Sequence, residues 1–188
     1  MNIVVLSTAG NVMVRPDTTW EKDGEDLYVP EFIQSLKYSP VLFARISKPG
    51  RSISKKFASR YYDAIGYGIL LYPTDLLEIP EQGWACASCM DHTSFLPYPL
   101  YSPITLGNPI NEFTIKKNSK TIYKRQTDST EIIEKAIEQV SSICYLRIGD
   151  IVAIEFEKPM LICSKEDNIS KIDTYYCDNQ TLDFKIIF

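Results

Sequence analysis

With 188 residues, the chain is long enough to bury one substantial core, and its formal charge of −4 sets it against nucleic acid. Neutralising phosphates needs clustered Lys and Arg, and no such stripe runs through the sequence. Hydrophobic residues at 45% and charged residues at 23% are those of an ordinary folded soluble protein, which excludes disorder and fibrous repeats, and no apolar run approaches the ~20 residues needed to cross a bilayer.

Twelve Tyr and eight Phe among many Ile and Val favour pleated sheet, where aromatic and branched side chains pack well. The expectation is one β-rich domain over residues 1–188. Met1 to Gly10 is apolar but short and has no basic flank, so it reads as a first strand rather than a secretory leader. A cytoplasmic setting follows as an expectation, with the five cysteines (Cys86, Cys89, Cys144, Cys163 and Cys177) as reduced thiols.

In chain order, strands are expected at Asn2 to Ser7, Asn11 to Arg15 and Leu27 to Val29, with a turn at Asp23-Gly24-Glu25 before the third. Pro40 to Ile46 is nearly continuous in apolar character and predicts a strand buried on both faces. Ser52 then caps a predicted helix over 52–64, because Ile53, Phe57, Tyr61 and Ile65 recur at intervals of four, and Gly66 and Gly68 close it. Ile69 to Tyr72 predicts a short strand stopped by Pro73, and the proline-rich stretch from Pro80 to Pro109 an irregular segment.

Phe113 to Ile115 and Thr121 to Lys124 alternate around Lys117-Asn118-Ser119-Lys120 as a hairpin. A second helix over 129–142 follows Asp128, which makes a capping-box pattern with Glu131 and precedes the stripe Ile132, Ile133, Ala136, Ile137, Val140 and Ile143. Ile151 to Phe156, Thr174 to Cys177 and Leu182 to Phe188 complete the strands. The fold class is thus α+β, predominantly β, with about two main helices.

Several stretches in the same order resemble the fumarylacetoacetate hydrolase family, in its compact bacterial branch of acylpyruvate hydrolases, decarboxylases and isomerases. They are Val14-Arg15-Pro16-Asp17-Thr18-Thr19, Tyr28-Val29-Pro30-Glu31-Phe32, Ile53 through Asp63, Thr74-Asp75-Leu76, Trp84, the helix from Ser129 to Val140, Ile148-Gly149-Asp150 and Leu182-Asp183-Phe184-Lys185-Ile186. The resemblance implies a mixed β-roll, commonly assembled as a dimer. It also implies one divalent cation, usually magnesium, held by a Glu-x-Glu pair on a strand and an Asp further along.

Matched residue by residue, the site departs from that pattern. The two Glu positions fall on Ser39 and Val41, and only Asp75 matches the third ligand. The family's carbonyl-polarising Lys aligns with Ser88, its Thr-Gly-Thr-Pro loop is replaced by Ile154-Glu155-Phe156-Glu157, and the lid segment with its His and Glu is essentially absent between Leu6 and Asn11. Without an electrophilic metal and a positioned base, the family's chemistry lacks its means.

Other constellations carry their own alternatives. Asp75 also fits a helix cap or turn, the reading favoured here because capping needs no second partner. Cys86-x-x-Cys89-x-x-His92 has the spacing of a zinc or thiol site around the sole histidine, set against small residues packed in a proline-rich segment. No serine stands in a Gly-x-Ser-x-Gly setting.

The leading expectation is therefore a non-catalytic relative of the hydrolase family with no cofactor, acting as a small-molecule-binding or assembly module that pairs with itself or a paralogue. The alternative is a divergent hydrolase, isomerase or decarboxylase of 2-oxo or acylpyruvate-type acids, using magnesium or manganese with ligands recruited from Glu155 or Glu157. The third is a zinc or thiol site at Cys86, Cys89 and His92.

Overall fold

A computed structural model describes residues 1–109 and 111–188 of the chain. Among these residues the elements run β1 (Asn2–Leu6), β2 (Val12–Pro16), β3 (Trp20–Glu21), β4 (Leu27–Tyr28), β5 (Ser35–Ile46), α1 (Lys55–Ala58), β6 (Tyr62–Pro73), α2 (Thr74–Leu77), α3 (Gly83–Ala87) and β7 (Ser94–Phe95). They continue with β8 (Glu112–Lys117), β9 (Lys120–Gln126), α4 (Glu131–Ile143), β10 (Ile151–Glu155), β11 (Met160–Ser164), β12 (Ile169–Tyr176) and β13 (Asn179–Ile187). The fold is α+β and strand-dominated.

One sheet runs in the order β2-β1-β10-β5-β6-β7-β3, with β11 also pairing β5, and the other in the order β4-β13-β12-β8-β9. β1 and β10 are parallel, whereas β5 is antiparallel to β6, β10 and β11. Alternation along a strand sends side chains to opposite faces, so the first sheet feeds two apolar clusters. The larger holds Leu36, Tyr38, Leu42 and Ala44 of β5 with Ile133, Ala136, Ile137 and Val140 of α4 and Ile172, Phe184 and Ile186 of the second sheet. The smaller, on the opposite face, holds Ile3, Val5, Val41, Phe43, Leu70, Tyr72, Ile151 and Ala153.

The predicted helix over 52–64 does not form beyond the single turn of α1, and from Tyr62 the chain is β6. An apolar interval of four suits a helix of period 3.6 and also a strand of period two, and here the strand prevails. Gly66 and Gly68, expected as terminators, lie inside β6 because a Cβ has no room there. At Gly66 it would stand 2.4 Å from the Phe43 ring, and at Gly68 2.2 Å from the Phe95 carbonyl oxygen.

The second helix forms close to its expected place, but Thr130 rather than Asp128 precedes its first residue. Ser129 Oγ accepts the Glu131 N–H at 3.1 Å, so the expected capping box is replaced by a local serine contact. The proline-rich segment contains α3, β7 and a 3-10 turn at Pro103–Gly107, and is otherwise irregular.

Pro40 lies inside β5, which begins at Ser35 rather than at the proline. A proline in a central strand removes a ladder donor, and the neighbouring strand accommodates the loss. β10 leaves β5 after the Glu155↔Val41 pair, and β11 takes its place from the Met160↔Tyr38 pair. Pro40 faces the gap between them, where its carbonyl accepts the Phe156 N–H at 3.0 Å.

Candidate functional site

The face that carries the smaller apolar cluster also carries the buried polar groups Arg15 of β2, Ser39 of β5, Tyr72 of β6 and Glu155 of β10. Each is in register with that cluster: Glu155 follows Ile151 and Ala153 by twos, Ser39 precedes Val41 and Phe43, Tyr72 follows Leu70, and Arg15 follows Met13, which packs against it.

Arg15 is fully buried. Its Nη1 donates to Thr93 O at 3.0 Å and Ser94 Oγ at 2.9 Å, and its Nη2 to Leu71 O at 2.6 Å. The guanidinium also lies over the Tyr72 ring, 4.5 Å from its centroid. Tyr72 Oη donates to Glu155 Oε1 at 2.7 Å, which links the cation, the ring and the carboxylate in one chain. Burial pulls the Arg15 pKa below its ordinary value and pushes that of Tyr72 up.

Glu155 is 5% exposed, and burial raises its carboxyl above the usual carboxylate range. The Tyr72 hydroxyl, the Ser39 hydroxyl and the Arg15 charge oppose that rise. Ser39 has one proton, however, and gives it to the Glu157 carbonyl at 2.6 Å, which leaves Glu155 Oε2 buried without a hydrogen-bond partner. An acceptor in that condition is costly and calls for a donor.

Glu155 opens on a cavity of about 310 Å³. One wall is the tight connection from β1 to β2, with Ser7, Thr8, Ala9 and Asn11 at the place where the resemblance implies a lid. Met13 and Trp84 form the apolar wall, and Lys158 and Pro159 the rim. Trp84 meets the Tyr72 ring edge-on at 5.5 Å between centroids. Met13 and Trp84 also line a neighbouring cavity of about 560 Å³ that contains Ser88.

The family-matched positions are thus only partly brought together. Ser39 and Val41 share the buried face beside Glu155. Ser88 is buried in the neighbouring cavity, with its Oγ unpartnered. Asp75, in α2, accepts the backbone N–H of Gln34 at 2.8 Å and lines neither cavity. It does not cap its own helix, whose N-cap is Pro73; it ties α2 to the chain just before β5.

All five cysteines are free thiols, with Cys86 half-buried and Cys89 exposed. His92 is exposed and its Nδ1 lies 3.3 Å from Glu21 Oε2. Among the described residues no three His, Cys, Asp or Glu side chains come together as a metal-binding group, so the Cys86, Cys89 and His92 constellation is not assembled as one.

Arg15 and Tyr72 were not singled out as site residues from the sequence. The signal was present: Arg15 is in phase with Met13, and Tyr72 with Leu70 of a buried strand.

No family model matches the sequence, and no curated protein matches it. Solved structures do. A protein from Yersinia pestis assigned to the fumarylacetoacetate hydrolase family superposes with a TM-score of 0.82 at 16% identity, over 99% of this chain and 92% of the other. Fumarylpyruvate hydrolase from Pseudomonas aeruginosa, in complex with Mn2+ and pyruvate, gives 0.80 at 15% identity over 100% and 90%. The 5-carboxymethyl-2-hydroxymuconate delta-isomerase from Mycobacterium smegmatis gives 0.81 at 14% identity over 99% and 78%. The chain has the fold of fumarylacetoacetate hydrolase family proteins. At these identities the fold is what is shared.

Proposed function

We propose that the chain is a member of the fumarylacetoacetate hydrolase family without metal-dependent catalysis, retained as a small-molecule-binding or assembly module. The observation that supports this most is the side-chain set at the matched positions. Ser39 offers a hydroxyl already committed to Glu157 O, Val41 offers no donor, and the adjacent carboxylate of Glu155 is held by Tyr72 beside a built-in Arg15 cation. A magnesium or manganese ion takes oxygen ligands, with carboxylates offsetting its charge. One partly engaged carboxylate next to a guanidinium does not fit such an ion.

Isothermal titration with magnesium and with manganese tests the reading. No binding in the micromolar range is expected, and a micromolar site that disappears on Glu155→Gln overturns it. Assays with acylpyruvates and oxaloacetate in added metal are expected to show no turnover.

A second reading has one observation in its favour: Glu155 lines the cavity and its buried Oε2 has no hydrogen-bond partner, a carboxylate that a divergent metal-dependent hydrolase could recruit as a ligand. Glu157 adds little to it, being exposed and contributing its backbone carbonyl to Ser39. Pairing with a second copy or a paralogue belongs to the same proposal, and light scattering of the purified chain measures it.

A further inference from the structure

Basic residues that look scattered in the sequence are gathered by the fold at one end of the first sheet. From Lys48 to Arg60 five residues are basic and none is acidic, although the chain as a whole carries −4. This segment is zipped to the turn after α4. Gly50 N–H donates to Leu146 O at 3.0 Å and Leu146 N–H to Gly50 O at 2.9 Å, while Ser52 N–H donates to Ser141 O and Gly149 N–H to Ile46 O, both at 2.8 Å. Tyr61 joins the same junction. Its carbonyl accepts the Ser47 and Lys48 N–H groups, and its ring lies so near Gly50 that a Cβ there would stand 2.7 Å from it.

Lys48, Arg51, Arg60 and Arg147 each lie within two residues of this Gly50, Tyr61 and Leu146 contact. All four are exposed, as is Lys56, and none has an ion-pair partner among the described residues. The neighbouring carboxylates are engaged: Asp63 with Arg45, Glu131 with Lys55 and Lys135, Glu138 with the Lys55 N–H, and buried Asp150 with the N–H groups of Asn2 and Arg147. Apolar side chains stand out among the free cations. Ile148 is 69% exposed, Ile143 62% and Tyr145 56%, and the exposed Phe57 ring carries Lys56 and Arg60 at 5.8 and 5.2 Å from its centroid. None of these residues lines either cavity described above.

We infer that this end of the molecule docks on an anionic lipid bilayer, with Lys48, Arg51, Arg60 and Arg147 at the headgroup phosphates and Ile143, Tyr145 and Ile148 at the acyl boundary. A negative leaflet attracts clustered cations, and apolar side chains at headgroup depth add to the binding. The exposed isoleucines favour a bilayer over nucleic acid. RNA or DNA phosphates are met by the cations, and bases stack on aromatic faces, so Ile143 and Ile148 contribute nothing there, whereas acyl chains take them up. A second copy is disfavoured as the occupant, because a two-fold contact through this surface sets the same unpaired cations against each other.

Sedimentation of the full chain with lipid vesicles is the test. The chain is expected to sediment with phosphatidylcholine vesicles that contain about 30% phosphatidylserine, to stay in solution with phosphatidylcholine alone, and to be released as NaCl rises from about 0.05 to about 0.5 M. Arg51→Gln with Arg147→Gln is expected to weaken the partition by about twentyfold or more, about fivefold for each cation. Ile148→Ser keeps every charge and is expected to weaken it by about fivefold or more. Lys120→Gln with Lys185→Gln removes two exposed cations from the second sheet and leaves it within about twofold.

Absence of sedimentation with the anionic vesicles overturns the inference, as does equal binding to the neutral ones. So does either patch variant binding like the parent with an intact thermal transition, or the second-sheet variant losing as much as Arg51→Gln with Arg147→Gln. No mobility shift of single-stranded RNA or duplex DNA is expected at the same salt. A micromolar complex with either one, lost in Arg51→Gln with Arg147→Gln, assigns the cations to nucleic acid and overturns the bilayer.

Discussion

Replacing Arg15 by Met keeps most of the apolar stem and deletes a cation that is fully buried. The loss strips donors from Leu71 O, Thr93 O and Ser94 Oγ and removes the positive charge that holds down the Glu155 carboxyl. Removing one member of a buried charged network costs about 3–5 kcal/mol. Lys at the same position keeps a charge but neither the planar fork nor its stacking on Tyr72, and is expected to cost about 1–3 kcal/mol. Urea unfolding at constant m-value measures both. Glu155→Gln made in the Arg15→Met background should recover part of the loss, since it deletes the carboxylate left without its cation, with a coupling of about 0.5–3 kcal/mol in the double-mutant cycle. An Arg15→Met cost below about 1 kcal/mol, or strict additivity of the two changes, refutes the linkage of Arg15, Tyr72 and Glu155.

Glu155 also predicts a pH dependence. Its native pKa lies above the ordinary 4.5, so just above that pH the native state keeps a proton that the unfolded chain releases, and stability falls as pH rises through the window. The Glu155→Gln variant should therefore gain on the parent from pH 4.5 upward, and a gap that stays flat in denaturation across that range refutes the raised pKa. Gly68→Ala forces a Cβ to within 2.2 Å of a backbone oxygen and is expected to cost about 3 kcal/mol or more, read as a lowered thermal midpoint; a cost of a few tenths shows that β7 yields. Elemental analysis of the purified chain is expected to find zinc well below stoichiometry, and a full equivalent lost on Cys86→Ser restores the zinc reading.

The apolar strands and α4 were legible in the sequence because their periods are unambiguous and their neighbours supply ordinary turn residues. The failures share a cause. Pro40, Gly66 and Gly68 were read as local punctuation, whereas each answers a contact distant in sequence: the gap between β10 and β11, the Phe43 ring and the Phe95 carbonyl. β11 was not anticipated, since Met160–Ser164 is short and its pairing partner is the part of β5 before the proline. For the site, the departures at Ser39 and Val41 were visible as residue types. What took their place was not, because Arg15, Tyr72 and Glu155 come from three separate strands and meet only across the sheet. Asp75 shows the converse: a matching residue type whose carboxylate accepts the backbone N–H of Gln34.

The interruption opposite Pro40 divides the lining of the cavity between paired and unpaired backbone. Glu155 is the last residue of β10 and is fixed by the ladder, while Lys158 lies in the crossing between Glu155 and Met160, paired by neither strand. The cavity therefore has a floor held in the ladder and a rim outside it. For any molecule that enters, the sheet would set the fit, and the unpaired backbone that carries Lys158 the speed of entry and exit.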